Sequence, residues 1–187
     1  MNADWLLLNS TKDRQTITAD WRPVHPALID GLVVREVRNV IKGNGCLTEV
    51  YRAEWRLDEQ PVDQVFQVTL EPGAISAWHA HEHTTDRLFV NHGLVRIVVY
   101  DARQGSPTAG QVNEFRFGTL RPALVVIPPK VWHGVQNLTH YPSSVLNLVD
   151  RAYCYEDPDH WRLAHDSPRV PYSWPPLAIS RNSHDLA

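Results

Sequence analysis

Gly73-Ala-Ile-Ser-Ala-Trp-His79-Ala-His81-Glu-His83-Thr-Thr-Asp86-Arg87-Leu-Phe-Val-Asn-His-Gly93 is the stretch from which the rest of the chain is read. Side chains on an extended strand alternate between its faces, so His79, His81 and His83 project together from one face. A row of imidazoles suits a metal ion. Asp86 falls on the opposite face under strict alternation, so for it to join them the strand must bulge or turn between Glu82 and Asp86. A further candidate ligand follows in Ile127-Pro-Pro-Lys-Val-Trp-His133-Gly-Val-Gln-Asn137, where an apolar strand stops at two prolines and resumes with His133. The spacing predicts a divalent cation held by His79, His81, Asp86 and His133. Imidazole and carboxylate ligands suit zinc, manganese, iron and nickel alike.

Outward from that stretch the pattern is of short strands. Leu32 to Ile41 and Cys46 to Trp55 read as a hairpin around Lys42-Gly-Asn-Gly45, and Val65 to Leu70 as the strand before the histidines. Leu88 to Val90 and Leu94 to Tyr100 read as a pair around Asn91-His92-Gly93, followed by Val112 to Phe117, Leu124 to Ile127 and Ser144 to Val149. With turn signals at this spacing and no helical period, the fold class expected is all-β, a small jelly-roll barrel. The barrel is expected over residues 31–177, preceded by an irregular arm at 1–30 and followed by a tail at 178–187. Trp5 and Trp21 are expected to cover a barrel edge or a neighbouring subunit, and Pro168 to Pro176 to pack as an extended arm.

The 187 residues suffice for one domain with a full core. A net charge of -3 with scattered charges offers no basic field for nucleic acid or an anionic membrane. The N-terminal residues lack a basic region ahead of an apolar core, and no apolar run reaches the roughly 20 residues of a membrane span, so a cytoplasmic protein is expected. Cys46 and Cys154 lack CxxC spacing and read as incidental thiols of a reducing compartment.

The two histidine segments resemble the paired motifs of the cupin superfamily. Gly73, His79, His81, Asp86 and Gly93 match the first motif, with Asp where Glu is usual; Pro128, His133 and Asn137 match the second, in which Lys130 and Pro122 replace glycines. The order of segments over roughly residues 40 to 177 further resembles the dTDP-4-dehydrorhamnose 3,5-epimerase family. That likeness rests on Gly45, Glu49, His83-Thr-Thr-Asp-Arg87-Leu, Gly93 to Arg103, Ser106 to Gly110, Val126 to Gly134, Asp150 to Pro158, Asp166-Ser-Pro168 and Trp174-Pro175.

The resemblance implies a homodimeric cupin jelly-roll acting on a nucleotide-linked keto-sugar. A histidine takes the proton beside the ketone and a tyrosine on the other face returns one. By position the base is His79, the tyrosine Tyr155 with Tyr153 as its rival, and Arg87 stands where the family has an enolate-side lysine. Asn44 and Ser76 replace arginines that grip the nucleotide, and Leu47 replaces an aromatic residue. Only Asp185, off register, stands near the aspartate that backs the family's histidine.

His79 is thus expected in two roles that compete for its lone pairs, metal ligand and base. Metal occupancy is favoured here, because His81 and Asp86 have no task in a metal-free epimerase; His83, Tyr155 or a bound water then moves the proton. Two other readings stand beside the epimerase: a metal-dependent oxygenase or lyase acting on a small molecule, for which the lost arginines speak, and a non-catalytic sugar-binding cupin.

Overall fold

Regular structure sets in where the β-branched run begins, at Val33. The computed structural model describes residues 5–21, 23–24 and 27–177. Its strands are β1 (Val33–Glu36), β2 (Asn39–Lys42), β3 (Gly45–Thr48), β4 (Gln64–Leu70), β5 (Ile75–Ala80), β6 (Asp86–His92), β7 (Leu94–Tyr100), β8 (Val112–Gly118), β9 (Ala123–Ile127), β10 (Trp132–Asn137), β11 (Ser143–Val149) and β12 (Trp161–Arg162). They form two five-stranded sheets, β1-β9-β6-β11-β4 and β12-β5-β10-β7-β8, and the separate hairpin β2-β3. Along most of its length from β4 onward the chain alternates between the sheets. This is the all-β jelly-roll expected, and among the described residues no helix is long and apolar enough to cross a membrane.

The core follows from the two-residue period of the strands. Leu88 and Val90 of β6, Val95, Ile97 and Val99 of β7, Phe115 and Phe117 of β8 and Val125 and Ile127 of β9 point between the sheets into one cluster. The alternate residues serve outer layers. Phe89, Leu124 and Leu148 pack under Tyr51, Trp55, Leu57 and Val62 of the loop after β3. On the other sheet Trp78 and Val98 pack under Val170, Tyr172 and Trp174.

The C-terminal arm forms that second layer: it turns through 168–171 and runs without regular structure from Tyr172, so the extended arm expected over Pro168 to Pro176 is met only in its second half. The Tyr172 hydroxyl donates to Glu114 Oε2 at 2.7 Å, and Gln136 Nε2 donates to the Pro175 carbonyl at 2.9 Å. Trp78 and Trp132 both turn away from the histidines into this layer. At the other end of the chain, Ile29 is 1% exposed and its backbone N–H donates to Asn113 Oδ1, so the last residues before the barrel join the core. Trp5 and Trp21 are 77% and 83% exposed and cover no barrel edge.

Two local expectations fail for physical reasons. The stretch Cys46 to Trp55 does not continue as a strand: β3 ends at Thr48, a 3-10 turn takes Ala53–Trp55, and Arg56 adopts a φ of 48°. The Asn91-His92-Gly93 corner does not close a hairpin either, because β6 pairs with β9 and β11 whereas β7 pairs with β8 and β10. Gly93 carries the chain from one sheet to the other at a φ of 84°, where a Cβ would collide with Ser143 Oγ. Both constraints require glycine.

Candidate active site

β5 stops at Ala80, so the three histidines do not form one row. The chain turns through 81–85 because a carboxylate from far along the sequence collects its backbone donors. Asp159 Oδ1 accepts from the Glu82 N–H at 2.6 Å, and Oδ2 accepts from His83 N–H, Thr84 N–H and Thr84 Oγ1 at 2.9, 3.0 and 2.8 Å. Burial pushes the Asp159 carboxyl up, but these donors outweigh it and hold it below the usual range. Asp150 accepts the next N–H, from Thr85. The chain then enters β6 in the opposite sheet at Asp86. The turn demanded by the parity of the sequence is therefore present, and it brings Asp86 to the histidines.

His81, Asp86 and His133 converge, each with a nitrogen or oxygen within 4.8 Å of the others. Asp86 Oδ2 lies 3.1 Å from His81 Nε2 and 3.4 Å from His133 Nε2. The far nitrogen of each ring faces a backbone carbonyl: His81 Nδ1 that of Asp159 at 2.5 Å and His133 Nδ1 that of Val131 at 3.3 Å. Each therefore donates N–H outward and turns Nε2 on Asp86. Asp86 is 2% exposed, and burial opposes its charge, yet His133, His81 and Asn147 hold its carboxyl down to about 2. Burial lowers His81, but Asp86 and then Asp159 together more than restore it, so its net shift is upward, whereas burial lowers His133. The three groups are built around a positive charge, whether proton or metal. Lys130, in place of the usual glycine, takes a φ of 67° and donates its N–H to the His81 carbonyl at 2.6 Å.

His79, expected as a fourth ligand, stands outside this group. It sits between two cross-strand partners, His133 on β10 and Arg162 on β12. Its Nε2 lies 3.0 Å from Ser76 Oγ, and its Nδ1 lies 3.0 Å from His160 Nε2 and 3.1 Å from Arg162 NH1. Both ring nitrogens are thus engaged away from Asp86. Burial, followed by the nearby His133 and Arg162, lowers His79 to about 3, and burial followed by His81 lowers His160 to about 4. His83 lies on the turn, exposed, with its backbone N–H on Asp159.

Two expected catalytic residues are placed elsewhere. Arg87 alternates away from Asp86 to the outer side of β6, where it is 0% exposed and forks onto Asp58, with Nε on Oδ2 at 2.7 Å and NH2 on Oδ1 at 2.5 Å. The Leu148 and Gln60 carbonyls take its remaining bonds, so it cannot reach an enolate. Tyr155 is 80% exposed and does not line the cavity; Tyr153, two residues earlier, does.

That cavity measures about 550 Å³. Phe66, Val68, Leu88, Val135, Val145 and Val149 give it apolar walls, and His79, His81, His133, His160, Asp86 and Asn147 gather with Ser76 and Arg162 as its polar part. The cations lining it are Arg151 and Arg162, both from the segment after β11. Leu47, at one family departure, is 60% exposed on the β2-β3 hairpin, and Asp185 lies outside the described residues. Sequence reasoning missed Asp159, Arg162 and Asn147 and passed over His160 as an isolated histidine. No periodic signal was available, because the strand that carries Arg162 is only Trp161–Arg162.

Residues 26–186 match the family model described as dTDP-4-dehydrorhamnose 3,5-epimerase. The chain belongs to this epimerase family. Within it the chain is 33% identical over 147 residues to the probable low-salt glycan biosynthesis epimerase Agl13 of Haloferax volcanii, covering 78% of the chain and 94% of the relative. It is 29% identical to the spore coat polysaccharide biosynthesis protein SpsL of Bacillus subtilis, covering 79% and 97%. Among solved structures it is similar to a dTDP sugar isomerase from Desulfovibrio desulfuricans, with a TM-score of 0.73, 26% identity and coverage of 78% and 92%. The 3'-monoepimerase ChmJ of Streptomyces bikiniensis, solved with dTDP-quinovose, shares the fold with a TM-score of 0.72 at 23% identity, covering 81% and 79%.

Proposed function

We propose that the protein epimerises a nucleotide-linked keto-sugar at a carbon beside the ketone. The observation that carries this reading is the gathering of proton-holding groups, five imidazoles including His83, Asp86 and Tyr153, around one cavity with apolar walls in a member of an epimerase family. Loss of a proton beside a ketone puts negative charge on the carbonyl oxygen, so the reaction needs hydrogen-bond donors at that oxygen and groups that exchange protons with carbon. That Tyr153 lines the cavity supports it as the tyrosine that returns a proton. Arg151 and Arg162, rather than residues at positions 44 and 76, are the cations available to the diphosphate.

A divalent cation belongs to the same reading. Two Nε2 atoms 3.1 and 3.4 Å from one carboxylate oxygen match the roughly 3.0–3.4 Å between neighbouring ligands on a metal bound at about 2.1 Å. The outward N–H of each imidazole on a carbonyl is the support such ligands require. His81, Asp86 and His133 would hold the ion, which when bound would act as a Lewis acid toward the carbonyl oxygen. Two histidines and a carboxylate also suit iron(II) oxygenases, which keeps an oxygenase as the second reading.

The test is incubation with a dTDP-4-keto-6-deoxy sugar in deuterium oxide. Deuterium at a carbon flanking the ketone, above a protein-free control, is expected; its absence overturns the epimerase reading, and oxygen uptake in its place favours the second. Elemental analysis of wild type beside His81→Ala is expected to show about one metal equivalent lost in the variant. No metal in either protein after reconstitution overturns the metal part.

A further inference from the structure

The partners of His79 determine which of its nitrogens carries the proton, and from them we infer that Arg162 holds it as the Nε2–H tautomer, a hydrogen-bond donor to substrate rather than a base. Arg162 stands directly across from His79 in the β12–β5 pair, with NH1 3.1 Å from Nδ1. A guanidinium has donors only and keeps its charge, so Nδ1 presents its lone pair to Arg162. His160 Nε2 lies 3.0 Å from the same atom, whose single lone pair Arg162 already takes. The ring proton therefore sits on Nε2, 3.0 Å from Ser76 Oγ, which accepts it at the cavity wall.

A histidine arranged as a base has the reverse wiring, with an acceptor on one nitrogen and a free lone pair on the other. Among the described residues no carboxylate is hydrogen-bonded to the His79 ring; its neighbours there are a cation and an imidazole. A substrate oxygen that displaces Ser76 Oγ would receive the Nε2 hydrogen bond, which strengthens as charge develops on that oxygen. Arg162 is then a positioning residue acting through His79. This role rests on the cavity being the reaction site; the tautomer itself does not.

Long-range proton–nitrogen spectra of the full chain labelled with ¹⁵N-histidine decide the matter, His79 being assigned by its loss in His79→Gln. A protonated Nε2 and a bare Nδ1 are expected in wild type. Arg162→Met is expected to shift His79 toward the Nδ1–H form, with the remote His92 and His140 signals unmoved as evidence of intact folding. An Nδ1–H or doubly protonated His79 in wild type, or no change in Arg162→Met, overturns the inference.

Deuterium incorporation supplies the functional arm. Glutamine keeps an N–H near the position of Nε2, so His79→Gln should stay within about 10-fold of wild type, whereas loss of a base costs roughly 10²–10⁴-fold. Equal inactivity of His79→Gln and His79→Ala overturns the donor role. Absence of exchange in wild type defeats the epimerase reading and leaves the spectra to decide the tautomer.

Discussion

Asn147 donates its side-chain N–H to Asp86 Oδ1 at 2.6 Å, and so leaves Oδ2 as the oxygen that faces His81 and His133. Its orientation is fixed at the other end, where Asn147 Oδ1 accepts the Arg87 backbone N–H at 3.1 Å. Asn147→Leu should therefore free the carboxylate to rotate. The expected outcome is a 10- to 100-fold weaker hold on a divalent ion, on the order of losses seen when a ligand's supporting partner is removed, read by competition with a chelator.

Arg87→Met should act on stability. It strands Asp58 and opens the bonds to the Leu148 and Gln60 carbonyls, at a cost of about 3–5 kcal/mol in urea denaturation. Arg87→Lys should recover only part, since an ammonium cannot fork onto the carboxylate. Full stability with lost activity would restore the enolate role that its sequence position suggests.

The two tyrosines should separate cleanly. Tyr153 lines the cavity and Tyr155 is 80% exposed beside it, their rings 5.3 Å apart. Tyr153→Phe should cut deuterium incorporation by about 10²–10⁴-fold if its hydroxyl transfers the proton, and Tyr155→Phe should leave it within a few-fold. The reverse pattern would return the role to Tyr155.

Asp101 predicts a pH dependence away from the cavity. It is 0% exposed, and although burial raises its carboxyl, hydrogen bonds from Arg103, Ser106 and Thr108 hold it well below the usual range. A carboxyl depressed on folding adds stability above its unfolded pKa, about 3.9, and loses it as pH falls below that value. Asp101→Asn should cost about 2–3 kcal/mol at pH 7, a figure typical of hydrogen bonds to a charged group. The gap to wild type should narrow below about pH 4, measured by denaturant midpoints across that range.

Lys130 occupies a left-handed backbone conformation at a φ of 67°. Such a conformation costs an ordinary residue about 1–2 kcal/mol, and glycine adopts it freely. Lys130→Gly keeps the N–H bond to the His81 carbonyl and should gain about 0.5–1 kcal/mol after glycine's greater unfolded freedom is discounted. The thermal midpoint should rise by about 1–4 °C.

The residues differ in how much of their fate the sequence discloses. β7 is legible end to end because an almost unbroken apolar run is bounded by Gly93 before it and Asp101 after it. The turn before Asp86 is legible as well, since parity alone forbids a straight strand from joining Asp86 to His81. The corner at Asn91-His92-Gly93 is not, because a turn signal carries no information on whether the next strand pairs with the last or crosses to the facing sheet. Arg87 could not be assigned its partner from local pattern, for Asp58 lies in a loop 29 residues upstream. His160 reads in the sequence as one more isolated histidine, and Arg162 escaped notice, because the strand that aligns Arg162 with His79 spans two residues and leaves no periodic trace.

Asp159 gathers the turn between His81 and Asp86, and its neighbour His160 touches His79. The one connection between β11 and β12 therefore sets both the approach of Asp86 to His81 and the contact made by the His79 ring. The same connection is tied to the barrel, since the Ala152 N–H donates to Asp63 and the Tyr153 N–H to Gln64 of β4, so a change in its length would act on the two groups and on that sheet edge together.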